Sequence, residues 1–388
     1  ERLLADRVAQ RGQLELTLAP SRLALEVGDA IAVAGEGEGP FEITEIRDGA
    51  ARRITARAIP PLFEAVIVSG RPAAVPTAAV PRAIPVVVAA HLPPDPANPG
   101  QSRLLLAACA SPWPGEVTFH DEVTGTQIAR LTRSCALGEL DAALAPGQAL
   151  TWDETASLTV RLYAGHLASA DDALVLAGGN RLVIETDSGA WEVVAFAEAL
   201  LLSPGLYRLT RLLRGQMGTG HAIGPAAAGR RVVVLDDRPL LLAAPGQWLG
   251  ETRPLRAYAG RADPAGTSVA LALDSGPVLP LPPVHLRAER APGSDDVALS
   301  WVRRSRADTD SWGVTDAPLE HAPEAYAVTI LDGTVPVRTL AAAAPTLTYT
   351  AAAQVEDFGA PPPRFGFRVA QMSPVFGAGH ATEGTFDA

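Results

Sequence analysis

Proline and glycine recur along the whole chain, and this limits what the chain can fold into. The 388 residues include 34 Pro and 35 Gly, dispersed rather than arranged in a repeat. Proline fixes φ and removes a backbone donor, whereas glycine favours turns. The distribution therefore predicts many turns joined by short strands, and argues against collagen and long helices. No uninterrupted apolar run reaches about 18 residues, so the sequence predicts no membrane-spanning helix.

Alternating apolar and polar residues mark the strands and predict an all-β, multidomain chain. The runs between residues 86 and 253 recur about every ten residues, which favours barrel or sandwich modules, interleaved in sequence. The predicted segments are the end of a β domain with a helical start at 2–11 (1–63), a Pro-rich linker (64–85), central β modules (86–253), a Gly/Pro-rich connector (254–283) and a β-sandwich (284–388). The first residues, Glu1-Arg2-Leu3, are interpreted as the start of a fragment of a longer protein.

The last segment predicts a fibronectin type III-like sandwich. Six alternating runs follow one another from residue 284 to residue 373. Trp301 lies in one of them with apolar neighbours at alternate positions, so we expect it in the core with Tyr326 beside it. The following stretch, residues 303–312, carries three arginines and two aspartates and is predicted to be a strand end and a charged loop without chemistry.

The charge pattern narrows the classes of function. The formal net charge is −11, which disfavours a nucleic-acid-binding surface over the whole chain. All 32 basic residues are arginine, so Schiff-base and P-loop lysines are absent. Neither a GxSxG nucleophile motif nor an HExxH metal motif occurs, and we expect no catalytic residue, no metal and no cofactor.

The two cysteines and the acidic stretch after His120 carry the residue types of metal and disulfide sites. Cys109 and Cys135 have no partners at zinc-site spacing, and two buried free thiols are favoured over a disulfide. His120, Asp121 and Glu122 are consecutive, and neighbours on a strand point to opposite faces, so they cannot converge on one ion.

Exposed tryptophans would suit stacking on sugar rings. The candidates are Trp113, held in a loop by two prolines, Trp152 and Trp191. Each is more typical of a core residue, and glycan binding requires that their faces be exposed. A glycan-degrading enzyme would need two carboxylates that meet in space, and it is the least favoured reading.

Three stretches resemble a known family. YRLTRLLRGQMGTGH (207–221) resembles the "LLRGRRGTE" signature of tail-tip proteins of gene transfer agents and related siphophages. PVHLRAER and LSWVRRSRADTDSW resemble their fibronectin-like end, and FEITEIRDGAARRITARAI resembles the closing part of their tail-hub domain. The chain departs from the signature at Met217-Gly218-Thr219-Gly220, where Arg-Gly-Thr-Glu is usual.

The glycines of GQMGTGH (215–221) do not have the spacing of a phosphate-binding loop, and they predict a tight turn between strands.

This resemblance, to the large "megatron" or host-specificity-like tail protein, implies a structural role at the tip of a phage-like tail. It implies a particle assembled in the bacterial cytoplasm and then extracellular. The implied partners are two further copies in a trimer, tail-hub and distal tail proteins, a host glycan or outer-membrane receptor, and DNA in transit. Arg303, Arg304 and Arg306 are then expected at contacts with a neighbouring module or subunit. The alternative is an adhesin module that binds capsule or lipopolysaccharide glycan.

Overall fold

The computed structural model describes residues 12–19, 24–33, 40–49, 51–59, 84–260, 263–307, 313 and 316–388. These residues belong to two compact units, of which the first contains the sheet before residue 59 and the second contains every later strand. The predicted helix at 2–11, nearly all of the predicted linker at 64–85 and the charged loop at 308–312 lie outside the described residues.

The described part of the chain is nearly all β-structure. Two short helices are present, α1 (Asp172–Leu176) and α2 (Ala351–Phe358), and no helix among these residues is long and apolar enough to cross a bilayer. The strands in chain order are β1 Gln13–Leu18, β2 Ala30–Ile31, β3 Phe41–Arg47, β4 Arg52–Ala58, β5 Val86–Leu92, β6 Arg103–Cys109, β7 Val117–Asp121, β8 Gln127–Leu131, β9 Leu137–Leu140, β10 Trp152–Asp153, β11 Leu158–Leu162, β12 Arg181–Glu185, β13 Trp191–Ser203, β14 Leu206–Gln216, β15 Arg231–Val234, β16 Leu240–Ala243, β17 Thr252–Ala259, β18 Thr267–Ala272, β19 Val284–Arg290, β20 Val297–Val302, β21 Tyr326–Asp332, β22 Val335–Ala342, β23 Thr346–Tyr349, β24 Arg364–Ser373 and β25 Gly377–Asp387.

The first unit contains a four-stranded antiparallel sheet in the order β1-β4-β3-β2. Its strands alternate apolar and polar residues, as a sheet with one covered face requires. Ile43, Ile54 and Ala56 are buried and form the covered side of the sheet.

The second unit begins with a sandwich of two antiparallel sheets, β16-β6-β5 and β18-β17-β7-β8. Its core includes Leu105, Leu106, Phe119 and Leu255. The predicted connector at 254–283 is not a connector in its first part, because β17 and β18 lie there, β17 paired with both β18 and β7. Pro254 is tolerated in β17 because it lies just beyond the last pair with β7, Leu255 with Asp121, where its missing amide interrupts no ladder bond; its carbonyl accepts from Glu122 N at 3.0 Å.

A six-stranded closed barrel is inserted in the sequence between strands β8 and β16 of this sandwich. The strand order β14-β11-β9-β15-β12-β13 is closed by pairing of β13 with β14, and β10 adds to β14. Leu182 and Ile184 of β12 point into the barrel core, whereas Val183 between them joins the core of the sandwich. Continuous apolar runs such as RLVI thus serve two cores, one on each face of the strand.

The last module is a sandwich of sheets β19-β20-β23 and β22-β21-β24-β25. Three strands against four, in this order, give the fibronectin type III-like arrangement that the sequence predicts. Trp301 is 4% exposed and meets Tyr326 edge to face with ring centroids 5.1 Å apart, which confirms the predicted core pair. Helix α2 and strand β25 were not predicted.

Candidate functional site at the meeting of three beta modules

The signature turn after β14 is constrained by its backbone and by a buried threonine. Gly215, Met217 and Gly218 all have positive φ, at 62°, 55° and 80°. Thr219 is fully buried, and its hydroxyl accepts from Val193 N at 2.9 Å and donates to Gln216 O at 2.7 Å. The structure therefore confirms a tight turn, and it shows that the threonine of the signature ties this turn to β13.

A buried ion pair fixes the strand that leads into the turn. Arg214 donates from Nε and Nη2 to the two carboxylate oxygens of Glu192, at 2.6 and 2.7 Å, and both side chains are essentially inaccessible to solvent. Arg214 Nη1 also donates to Ala145 O at 3.0 Å, and the amide of Gly215 donates to Glu192 at 3.1 Å. The two-pronged geometry offsets the cost of burying both charges and specifies how β13, β14 and the 145–149 segment fit together.

The turn brings His221 against the last module. His221 stacks on His380 of β25 with ring centroids 4.5 Å apart and planes within 9°. His221 Nδ1 lies 3.3 Å from Gly218 O, and His380 Nε2 lies 2.8 Å from Gly276 O, in the short connection between modules. The barrel, the end of the first sandwich and the last module thus meet at one pair of imidazoles.

Burial dominates the electrostatics of this pair. It lowers the pKa of His221 to about 4 and also lowers that of His380. Asp274 opposes the decrease at both rings, while Arg306 contributes to it. Burial likewise lowers the pKa of His91, which is 4% exposed and hydrogen-bonded through Nε2 to Ser102 Oγ at 2.8 Å. The imidazoles of this region are therefore neutral at pH 7.

Arg306 reaches into the same junction. Its Nη2 donates to Leu279 O at 2.8 Å, and Nη1 lies 3.5 Å from a carboxylate oxygen of Glu320. A Cβ at Gly218 would lie 3.4 Å from its Nε, so the signature turn packs directly on this guanidinium. Within its own chain Arg306 thus contacts the signature turn and the 279–283 connection. Its role at an interface with another subunit stays a prediction.

The other two predicted interface arginines differ from each other. Arg303 pairs with Glu324 at 3.1 Å, and Glu324 also accepts from the hydroxyl of Tyr326 at 2.6 Å. Arg304 is half-buried, and burial lowers its pKa. Among the residues that the structure describes, no carboxylate forms an ion pair with it.

A cavity of about 610 Å³ lies beside the junction. It is lined by the first sandwich, through His91, Ser102 and Leu249, and by the β24–β25 turn of the last module, through Val375 and Phe376. Val375 is exposed, at 77%, whereas His91 is buried.

The three tryptophans proposed for glycan stacking are half-buried and lie on separate elements. Trp113 donates its indole N–H to Thr132 O at 3.2 Å and packs on the sandwich core. The Trp152 ring is covered by the guanidinium of Arg211, at 5.1 Å from the ring centroid, and Trp191 packs against the sandwich core. The structure does not gather them in the cavity beside the junction, and glycan binding by any of them stays a prediction.

The cysteines and the acidic stretch after His120 lie away from the junction histidines. Cys109 and Cys135 are buried and free, as the sequence favours, and burial raises the pKa of Cys109 to about 11. Asp121 is buried and pairs with Arg253 at 2.7 Å. Within the described ranges no group of three or more His, Cys, Asp or Glu side chains is placed to hold a metal ion.

Sequence reasoning singled out the signature turn but missed its partners. Glu192 was readable as a signal, because it is the one charged residue within the run WEVVAFA. A charged residue in such a run faces a buried partner more often than solvent. His380 and Asp274 carried no local signal, since their role depends on contacts between modules.

Comparison with known proteins finds one family model that is similar to the barrel segment. Residues 135–233 match the sequence model of a family described as Rcc01698-like, C-terminal, and this segment coincides with the closed barrel and its signature turn. No curated protein sequence matches the chain. A solved structure described as the central fibronectin-III array of RIM-binding protein is 12% identical over 65% of this chain and 68% of that chain, with a TM-score of 0.17, which supports no argument about this chain.

Proposed function

We propose that this chain is a structural component of the tip of a phage-like tail, of the gene transfer agent type. In this role it helps to close the tail tube, attach the particle to a host cell and deliver DNA. The observation that carries the proposal is the family match over residues 135–233, together with the signature residues that the fold uses. Arg214 and Thr219, both in the signature stretch, are buried and bind Glu192 and the amide of Val193 of the neighbouring strand.

The architecture suits a structural part. Three β modules meet at the signature turn, where Arg306 donates to Leu279 O, and the forked Arg214–Glu192 pair fixes the barrel strands that lead into this turn. The partners in this proposal are further copies of the chain in a trimer, tail-hub and distal tail proteins, a surface receptor of the host, and passing DNA. No enzymatic role is proposed.

A single substitution at Arg304 tests the proposal. Arg304→Glu, introduced into the gene of the encoding bacterium, should lower the yield of complete tails and of transferred DNA, because a half-buried cation that meets an acidic neighbour becomes repulsive. Arg364→Glu is the matched control, since Arg364 lies in the same module, is 71% exposed and pairs with Asp387. Electron micrographs of particles and DNA-transfer frequency are the readouts. Normal particles and normal transfer after deletion of the whole coding segment would overturn the proposal.

The adhesin alternative has its own test. The intact chain should bind host cells and lose that binding when surface polysaccharide is stripped, and Trp113→Ala should weaken it. If the chain bound equally to intact and stripped cells, the glycan-binding alternative would be wrong and the scaffold role would remain.

A further inference from the structure

We propose that the stacked His221–His380 pair is a proton-operated latch that docks the last β module at neutral pH and releases it on acidification. The latch is independent of the proposed tail-tip role, because it rests on the meeting of modules within one chain. Its parts come from separate modules: His221 follows β14 of the barrel, and His380 lies in β25 of the last sandwich.

Packing removes part of the solvent around the pair, since both histidines are half-buried. A Cβ added to Gly276 would lie 3.2 and 3.3 Å from ring atoms of His221 and 2.8 Å from Asp274 Oδ1. The His380 ring lies parallel to the His221 ring, at 4.5 Å between centroids. An imidazolium in this position loses water without gaining a dedicated anion, so the docked state favours neutral rings.

Few groups face the pair, and their balance is unfavourable to protonation. Asp274 is the carboxylate that acts on both rings, and the amide of Gly276 already donates to it at 2.7 Å. Arg306 places a fixed positive charge on the same side, and its own partner is Glu320. If both imidazoles were protonated, two stacked cations would share Asp274, which can offset one of them, and Arg306 would repel both.

Besides the stacked pair, the signature turn touches the last module where Gly218 packs on Arg306, and hydrogen bonds tie that module to the connection. His380 N donates to Pro280 O at 3.0 Å, Thr382 Oγ1 donates to Pro283 O at 2.5 Å, and Arg306 donates to Leu279 O. All three hold the 279–283 connection against the last module. The direct contact of the barrel's His221 with the last module is the stacked pair.

The sign of the pH effect follows from the two states. In the released state both rings regain the ordinary pKa near 6.5, whereas in the docked state the pKa of His221 is about 4. The released state therefore binds more protons between these values, and docking weakens as pH falls below about 6.5. For His221 alone, docking should weaken on the order of 50-fold between pH 7.5 and pH 4.5.

The experiment follows the intact chain from pH 7.5 to pH 4.5 by small-angle X-ray scattering and by proteolysis of the 274–283 connection. The expected result is a reversible increase in radius of gyration and new cleavage in the connection, with far-ultraviolet circular dichroism unchanged. The double variant His221→Gln/His380→Gln should stay docked to a lower pH. His380→Lys should be released already at pH 7.5, and His166→Gln, at an exposed histidine, should behave as the natural chain does.

Two results would overturn the latch. One is a folded double variant that opens at the same pH as the natural chain. The other is a nuclear magnetic resonance titration of the natural chain in which both imidazoles have a pKa near 6.5. The titration needs no variant, so it decides the question even if the substitutions prevent folding.

Discussion

Arg214 and Glu192 form a two-pronged ion pair that is closed to solvent, with contacts of 2.6 and 2.7 Å. The pair joins neighbouring strands of the barrel just before the signature turn. It explains why an arginine stands in a strand whose neighbours, Leu212 and Leu213, are buried and apolar.

Removing one partner of the buried pair should destabilise the barrel strongly. Arg214→Met leaves the Glu192 carboxylate buried and unpaired, and we expect a loss of about 3–5 kcal/mol in free energy of unfolding. Arg214→Met/Glu192→Leu should recover much of that loss, because no charge is then left without a partner. Arg161→Met, at the half-exposed pair with Asp141, is the control and should cost below about 1 kcal/mol. Urea unfolding followed by fluorescence measures all three, and equal effects at Arg214 and Arg161 would contradict the argument.

Gly215 should not tolerate a side chain. Its φ is 62°, and a Cβ there would lie 2.8 Å from Gly220 Cα and 2.9 Å from Ile223 Cδ1. Gly215→Ala should cost about 2–4 kcal/mol, since it combines left-handed strain with overpacking. Gly246→Ala is the matched control, because nothing lies within 4 Å of a Cβ at that position. Thermal unfolding of the two variants should differ clearly, and similar midpoints would count against the prediction.

Trp301 should control the stability of the last module. It is 4% exposed and packs edge to face on Tyr326, so Trp301→Ala should cost about 3–5 kcal/mol. Val302 is the next residue of β20 and is 47% exposed, so Val302→Ala should change stability by less than about 1 kcal/mol. Calorimetry that resolves the transition of this module is the measurement. If the last module of Trp301→Ala unfolded at the same temperature as in the natural chain, Trp301 would not be part of its core.

The two thiols should be unreactive in the folded chain. Burial raises the pKa of Cys109 to about 11 and raises that of Cys135 as well. Below pH 9 both thiols stay protonated in the folded state, and the fold loses stability only as pH rises from about 9 towards 11. A thiol reagent at pH 8 should therefore label both residues slowly in buffer and fully in denaturant. Full protection that persists in denaturant and ends on reduction would reveal a disulfide instead.

Local patterns were enough to predict several elements. Trp301 was placed in a core with Tyr326 because alternate apolar neighbours leave a strand few ways to lie. The turn at 215–221 was readable from its glycines, and the all-β class from the spacing of turns and strands. The fibronectin-like order of the last module also followed, apart from its final strand.

The missed elements share a physical cause in contacts from distant parts of the chain. Strand β25 has the sequence of a glycine-rich tail, but its glycines are required by neighbours from other strands. A Cβ added at Gly379 would lie 2.6 Å from Pro280, and a Cβ added at Gly384 would lie 2.8 Å from the Phe367 ring. Strand β17 was not predicted because it contains Pro254. The carbonyl of Pro254 accepts a hydrogen bond from the amide of Glu122, which is remote in sequence. Helix α2 was the exception, since Thr350 and Gly359 mark its two ends locally.

The sequence by itself determined the β class, the turns and the core of the last module, because these depend on the period of apolar residues and on backbone preferences within a few residues. Tertiary structure alone decided which charges and rings meet. Glu192 closes on Arg214, and His221 stacks on His380, because strands remote in sequence are brought together by closure of the barrel and by docking of modules. Burial then gives these groups properties that no local pattern carries: a buried ion pair in one case, and imidazoles held neutral in the other.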